Sequence, residues 1–311
     1  MEKQVSNTGC DPKEIPESWA SNSVLRLSLD VSLVFLDKKR ELICENCLNP
    51  PLRFFEDYLE QPCVPEILAN CLCDLGGKTN LKETSSLLEA FQTYAVSLYD
   101  QISDGHISRN GEPTVLGAHG ITETLRVKDA CEQIFRRLAR DLEERIPNAA
   151  KIAEEQYALT LSADKMRNLP KILPPNEAIE LQNQLAGLPS EKIAHLCEGD
   201  LEIVTLSRTT GLALSTIDDL IDLIKLEDLK GRKTTLPLSY LHQSNPSILN
   251  ESPEKIVEYF LNSDALRRTL DYIHKNIEKS RRILRRRDPK QQSILMKYND
   301  EISRYLETLE K

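Results

Sequence analysis

Two clusters of aspartate hold most of the chemistry that this sequence could do. In "YDQISDG", Asp100 and Asp104 stand four residues apart, with Gln101 between them. In "STIDDLIDL", Asp218, Asp219 and Asp222 lie among Leu214, Ile217, Leu220, Ile221, Leu223 and Ile224. Acids at i and i+4 share one face of a helix, and on a solvated face such pairs are common and mildly repulsive. Taken alone, the first pair reads as the polar edge of an ordinary helix. The second group does not, because carboxylates inside an apolar run are costly unless they are paired or bind a metal. Asp218 and Asp222 are expected to share its inner face, above Ser215 and Gly211.

Two such helices set opposite each other would present carboxylate walls to a hard divalent cation. Mg2+ takes oxygen ligands, keeps several waters, and is usually shared between one or two carboxylates and a substrate phosphate. The ligand this chemistry asks for is a diphosphate, with metal on one side and cationic side chains on the other. Arg109 and Lys233, the latter in "GRKTTLP", are the expected cations. A metal held there acts as a Lewis acid on the leaving oxygens.

The elements that must position these residues read as helices. Glycine is scarce, at 11 of 311 residues, and alternating apolar runs joined by two-residue glycine turns are nearly absent. The predicted class is all-α. Apolar spacing and stop signals place helices at 24–48, ended by "NPP", at 65–75, ended at Gly76-Gly77, and from Thr84 to Gly105. Others are expected at 117–146 and 198–226, with charged amphipathic helices from Pro253 onward. The stretch "RNLPKILPPNE" (167–177) reads as a proline-rich loop. Residues 1–22 read as a polar, flexible lead-in, and 23–311 as a single all-helical domain.

The net charge of −9 disfavours general nucleic-acid binding. No apolar run approaches the roughly 18 residues that span a bilayer, and the N-terminus lacks the apolar core of a secretory signal. With eight cysteines, that points to reduced thiols and a cytoplasmic protein. The Cys44/Cys47 and Cys71/Cys73 pairs sit among apolar neighbours and read as buried small hydrophobes rather than zinc ligands. "RRILRRR" (281–287) reads as a solvated helix face, with an anionic lipid or partner surface as the alternative. The five histidines do not cluster.

The ordered pair of acidic regions resembles the trans-isoprenyl diphosphate synthase and class I terpene synthase superfamily. "GLALSTIDDLIDL" with the downstream "KGRKTTLPLSYL" is similar to the second aspartate-rich region, G-x-A-F-Q-x-x-D-D-x-x-D followed by G-K-x-T-L-P. "YDQISDGHISRNGEPT" is similar to the first, D-D-x-x-D followed by R-R-G-x-P-T. The likeness runs over about 60–245. It implies an isoprenoid synthase-type helical bundle around a central active-site cavity, and a homodimer. It also implies up to three Mg2+ ions on Asp100, Asp104, Asp218 and Asp222, with Asp219 assisting. Arg109 and Lys233 would hold the diphosphate of an allylic prenyl substrate.

The departures from that pattern gather on one side. The basic segment that holds isopentenyl diphosphate falls on "EQPCVP" (60–65), its histidine on Thr93, and the second arginine on Asn110. The allylic side keeps its aspartates, Arg109 and Lys233 and departs less: the mid-chain lysine-threonine pair falls near Asn176-Glu177, Gln101 replaces a carboxylate, and Ser215 replaces a glutamine. A site without anchors for a second diphosphate should handle one. The expected activity is therefore that of a Mg2+-dependent terpene synthase, ionising a C15–C20 allylic diphosphate and cyclising the cation or eliminating a proton, with release of pyrophosphate. Prenyl transfer is an alternative, to isopentenyl diphosphate or to an aromatic or peptide acceptor. So is a non-catalytic subunit of a heteromeric prenyl diphosphate synthase. A cation needs a dry pocket. Thr93, Val96 and Ser97 lie on the Asp100/Asp104 face, Phe91, Tyr94 and Tyr99 could offer aromatic faces, and Gln101, Leu214 and Ser215 complete the expected lining.

Overall fold

The computed structural model describes residues 29–47, 63–109, 112–169, 171–225, 229, 233–288 and 293–309. The lead-in 1–22, the "NPP" stop, the first half of "EQPCVP" and Asn110 lie outside the described residues. In chain order the helices are α1 (Leu29–Cys47), α2 (Val64–Leu75), α3 (Lys82–Asp104), α4 (Val115–Glu143) and α5 (Ala149–Arg167). Then come α6 (Pro175–Gln182), a π-turn (Asn183–Gly187), α7 (Leu188–Leu196) and α8 (Leu201–Ile224). The chain closes with α9 (Leu236–Ser244), a 3-10 turn (Pro246–Asn250), α10 (Pro253–Leu261), α11 (Asp264–Arg287) and α12 (Ile294–Leu309). Two short strands, β1 (Ser108–Arg109) and β2 (Glu112–Pro113), pair antiparallel between α3 and α4. The fold is all-α apart from this hairpin.

α3 ends where Gly105 adopts a left-handed φ of 66° and returns its N–H to the Gln101 carbonyl, a stop that residues with a Cβ rarely allow. The chain then turns through the hairpin into α4. Thr114 caps α4 by accepting from Gly117 N–H at 3.1 Å, and its hydroxyl donates to the His106 carbonyl at 2.5 Å. One side chain thereby ties the end of α3 to the start of α4. α3 and α4 share the most extensive helix pairing in the described fold.

The apolar interior forms two clusters, and α8 runs through both. Its first half adds Ile203 and Leu206 to the core of α1–α5 and α7. Its second half adds Ala213, Ile217, Leu220 and Leu223 to the core of α9–α12. A Cβ at Gly211 would lie 2.0 Å from Ser190 Oγ, so only glycine lets α8 cross α7 this closely. That contact fixes the height of Ser215 and Asp219, one and two turns further on.

The structure adds helices where the sequence showed none, since α5, α6 and α7 fall between the expected elements. The loop expected at 167–177 is shorter, because Arg167 still belongs to α5 and α6 begins at Pro175. In the "RRILRRR" stretch, Arg286 and Arg287 pair with Glu202, Arg287 also pairs with Asp200, and Arg281 pairs with Asp300. Cys71, Cys73, Cys131 and Cys197 are buried and reduced, and burial pushes the Cys63 and Cys71 thiols up to about 12. The side chains of Cys44 and Cys47 lie outside the described residues. No helix among the described residues is long and apolar enough to cross a membrane.

Candidate active site

The inner face of α3 carries Thr93, Val96, Ser97, Asp100 and Asp104 at helical spacing, all half-buried. Asp104 Oδ2 accepts from Lys233 Nζ at 2.5 Å, and Oδ1 accepts from Asn168 Nδ2 at 3.3 Å. Asn168 also donates to Asp164 Oδ2 at 3.3 Å. Asp100 Oδ1 is buried and has no hydrogen-bond partner. Burial first, and then the charge of Asp164, pushes the Asp100 carboxyl up to about 7, while Lys233 draws it down. Asp164 is raised as well, chiefly by burial. Three carboxylates thus crowd one end of α3 and α5 with more negative charge than their neighbours neutralise.

Deeper on the same face lies Glu89, 1% exposed. Gln156 Nε2 donates to its carboxylate at 2.7 Å, and Thr93 Oγ1 donates to its backbone carbonyl at 2.8 Å. Burial pushes Glu89 up to about 8. Two expected pocket aromatics belong instead to the core. Phe91 and Tyr94 are fully buried and meet edge-to-face at 5.7 Å between ring centroids, because their positions on α3 turn toward the apolar interior. Tyr99 remains half-buried, with Lys165 Nζ 6.0 Å from its ring centre. Gln101 is buried and turned away from the acids, its Oε1 accepting from Leu116 N–H at 3.5 Å.

On α8 the arrangement differs from expectation. Asp219 is the buried acid, 2% exposed, whereas Asp218 is exposed and Asp222 is half-buried. The crossing of α8 over α7 rotates position 219 inward. Asp219 Oδ1 accepts from Arg167 Nη2 at 2.8 Å. The Gln182 side chain, with its amide nitrogen toward the carboxylate, donates to Asp219 Oδ2 at 3.2 Å and accepts from Ser215 Oγ at 2.9 Å. Leu214 is half-buried and packs on the second core cluster. Asn176 and Glu177 are exposed on the first turn of α6; Gln182, one turn and a half further on, is the α6 side chain that enters the site.

The two walls meet at the C-terminal end of α5. Arg167 reaches Asp219 on one side, and Asn168 reaches Asp104 on the other. The chain carrying Lys233 is pinned against the same end: Thr234 N–H donates to the Arg167 carbonyl at 2.9 Å, and Thr234 Oγ1 to the Lys171 carbonyl at 2.9 Å. Ser239 Oγ extends the seam to the Leu173 carbonyl at 2.7 Å. The structure therefore brings together Asp100, Asp104, Asp219, Ser215 and Lys233 from the expected set. Arg109 stands in β1, and its side chain lies outside the described residues.

Asp164, Arg167, Asn168 and Gln182 escaped the sequence reading. The available signal was the acid and base three apart in "ADKMRN", which places Asp164 and Arg167 on one side of a helix. Among the described residues, no three acidic, histidine or cysteine side chains converge to hold a metal by themselves. Mg2+ does not need such a cage, since substrate phosphate completes its shell. The α3 wall fits that demand through the unpartnered Asp100 oxygen beside Asp104 and Asp164. Asp219 fits it less well, because it is buried and its charge is already met by Arg167.

No family model matches the chain, and no curated protein matches it. Solved structures do. Geranylgeranyl pyrophosphate synthetase from Pyrococcus horikoshii is 14% identical, with 92% of this chain and 98% of that one covered at a TM-score of 0.67. Heptaprenyl diphosphate synthase from Staphylococcus aureus is 12% identical, with 88% and 98% covered at 0.69. Polyprenyl synthase from Caulobacter crescentus, complexed with calcium and isoprenyl diphosphate, is 16% identical, with 92% and 96% covered at 0.67. At these identities the likeness is one of fold, and it extends over almost the whole length of each neighbour.

Proposed function

We propose, from the premise that this chain has the trans-isoprenyl diphosphate synthase fold, that it binds an allylic prenyl diphosphate between α3 and α8 and ionises it in a prenyl transfer. The observation that carries this reading is that the end of α5 draws the two walls together, Asn168 reaching Asp104 beside Lys233 and Arg167 reaching Asp219. Lys233 would supply positive charge to a diphosphate, as such charge stabilises a leaving anion, while Arg167 stays paired with Asp219. Asp100 and Asp104 would hold Mg2+, which supplies Lewis-acid stabilisation of the departing pyrophosphate. The half-buried stripe Thr93, Val96 and Ser97 lies where the prenyl chain would run, and its small side chains suit the C15–C20 class.

Prenyl transfer is preferred because the fold neighbours are named as prenyl diphosphate synthases. Cyclisation or elimination stands second, favoured by one observation. Thr93 takes the place of a histidine, and its hydroxyl is spent on the Glu89 carbonyl, so this position offers nothing to a second diphosphate. The same carboxylate and cation set would serve either outcome, and a homodimer is part of the proposal. The deciding experiment incubates the purified chain with Mg2+ and allylic diphosphates, with and without isopentenyl diphosphate, and reads products by mass spectrometry. A longer prenyl diphosphate is the expected product. Hydrocarbon or terpene alcohol without isopentenyl diphosphate would move the assignment to cyclisation or elimination. Absence of any product and of pyrophosphate would remove both.

A further inference from the structure

Each acidic wall has its own protein cation, and the two are held differently. Lys233 meets Asp104 where both side chains retain some solvent access, 19% and 11%. Its ammonium is a compact, hydrated point charge on a flexible stem, and it can follow a diphosphate and leave Asp104 to a metal. Arg167 meets Asp219 where the carboxylate side chain is 3% exposed. A guanidinium does not deprotonate and forms directed hydrogen bonds, and the Arg167 backbone is itself fixed by Thr234 N–H.

Both Asp219 oxygens are occupied, Oδ1 by Arg167 at 2.8 Å and Oδ2 by Gln182 at 3.2 Å. Asp219 is thus buried with its charge already matched, and a hydrated divalent ion entering there would have to shed its water beside a resident guanidinium. On α3, by contrast, Asp100 Oδ1 is unpartnered. We infer that Arg167 is the resident cation of the α8 wall. It neutralises Asp219 in place of a divalent ion, so that metal uptake with diphosphate depends on Asp104 and not on Asp219. This rests on the diphosphate-binding reading above and assigns Arg167 a positioning role that no aspartate-rich motif contains.

The test is Mn2+ titration of the full chain in the presence of inorganic pyrophosphate, followed by electron paramagnetic resonance. Asp219→Asn should bind as many Mn2+ ions as the wild type with unchanged affinity. Asp104→Asn should lose an ion or bind it about tenfold or more weakly, the scale on which altered metal sites lose affinity. Should Asp219→Asn fail to fold, the double variant Arg167→Gln/Asp219→Asn removes both charges together and should also match the wild-type count. Loss of an ion in either Asp219 variant overturns the inference while leaving the diphosphate reading standing. No Mn2+ uptake by the wild type with pyrophosphate overturns that reading, and the inference with it.

Discussion

On α8, the most buried carboxylate of the motif residues is matched at 2.8 Å by a guanidinium and satisfied on its other oxygen by an amide. On α3, a more open carboxylate faces two further acids and keeps a buried oxygen without a partner. Both walls begin from the same residue type in the same apolar setting. What separates them is what α5 brings to each: Arg167 toward α8, Asp164 toward α3. Burial alone therefore does not mark a functional acid. A carboxylate whose charge is met inside the protein is part of the framework, and one left in excess is available to a ligand.

The largest expected effect comes from breaking the matched side. Arg167→Ala leaves Asp219 buried with its counter-charge removed, and loss of one partner of a buried pair costs about 3–5 kcal/mol. Lys233→Ala should cost clearly less, because Asp104 keeps solvent access and its hydrogen bond from Asn168. Thermal unfolding of the two variants beside the wild type checks the order. If Lys233→Ala proves the more damaging, the contrast between the walls is wrong.

Much of this contrast was out of reach of the sequence for a definable reason. α3 and α8 were legible because Leu87, Leu88, Leu98, Ile217 and Leu220 repeat at helical spacing around their acids. α5 was not, because apart from Tyr157 the residues it buries are small or polar: Ala149, Ala153, Gln156, Ala163 and Asp164. A helix that hides alanine and glutamine shows no apolar stripe, so Arg167 and Asn168 were read into a loop. The inward turn of Asp219 rather than Asp218 was hidden for another reason. Adjacent positions on a helix differ by about 100°, and only the Gly211 crossing over Ser190 decides which of them faces α5.

Glu89 extends the comparison down the α3 face. Unlike Asp100, it is raised by burial alone, with Gln156 pulling the other way. The unfolded chain releases this proton near the ordinary value of 4.5, and the folded chain keeps it until about 8. Across that window the folded state binds more protons, so stability falls as pH rises. Glu89→Gln retains the acceptor for Gln156 and carries no titrating proton. At about 1.4 kcal/mol per unit, and allowing for water entry on ionisation, it should be about 2–4 kcal/mol more stable than the wild type near pH 8. Near pH 4 the advantage should vanish. Denaturant midpoints at the two pH values measure it, and an equal gain at both would show that packing rather than protonation is responsible.

The smallest effect sharpens the comparison most, because it concerns the one position where the first motif departs from its acid pattern. Gln101 is 6% exposed, and its oxygen accepts from Leu116 N–H in the first turn of α4. A helix leaves its first N–H groups without internal partners, and a carboxylate near them gains about 0.3–1 kcal/mol. Burying the new charge opposes that gain, so Gln101→Glu should change stability by less than about 1 kcal/mol. It should leave turnover of an allylic diphosphate within about twofold, since a change under about 0.4 kcal/mol in the barrier is no more than that. The added charge is held by the α4 terminus and does not join Asp100 and Asp104. A tenfold gain in rate, or an additional Mn2+ bound with pyrophosphate, would place side chain 101 inside the carboxylate cluster and make the missing acid a lost ligand. An unchanged rate leaves the excess charge of the α3 wall where Asp100, Asp104 and Asp164 put it.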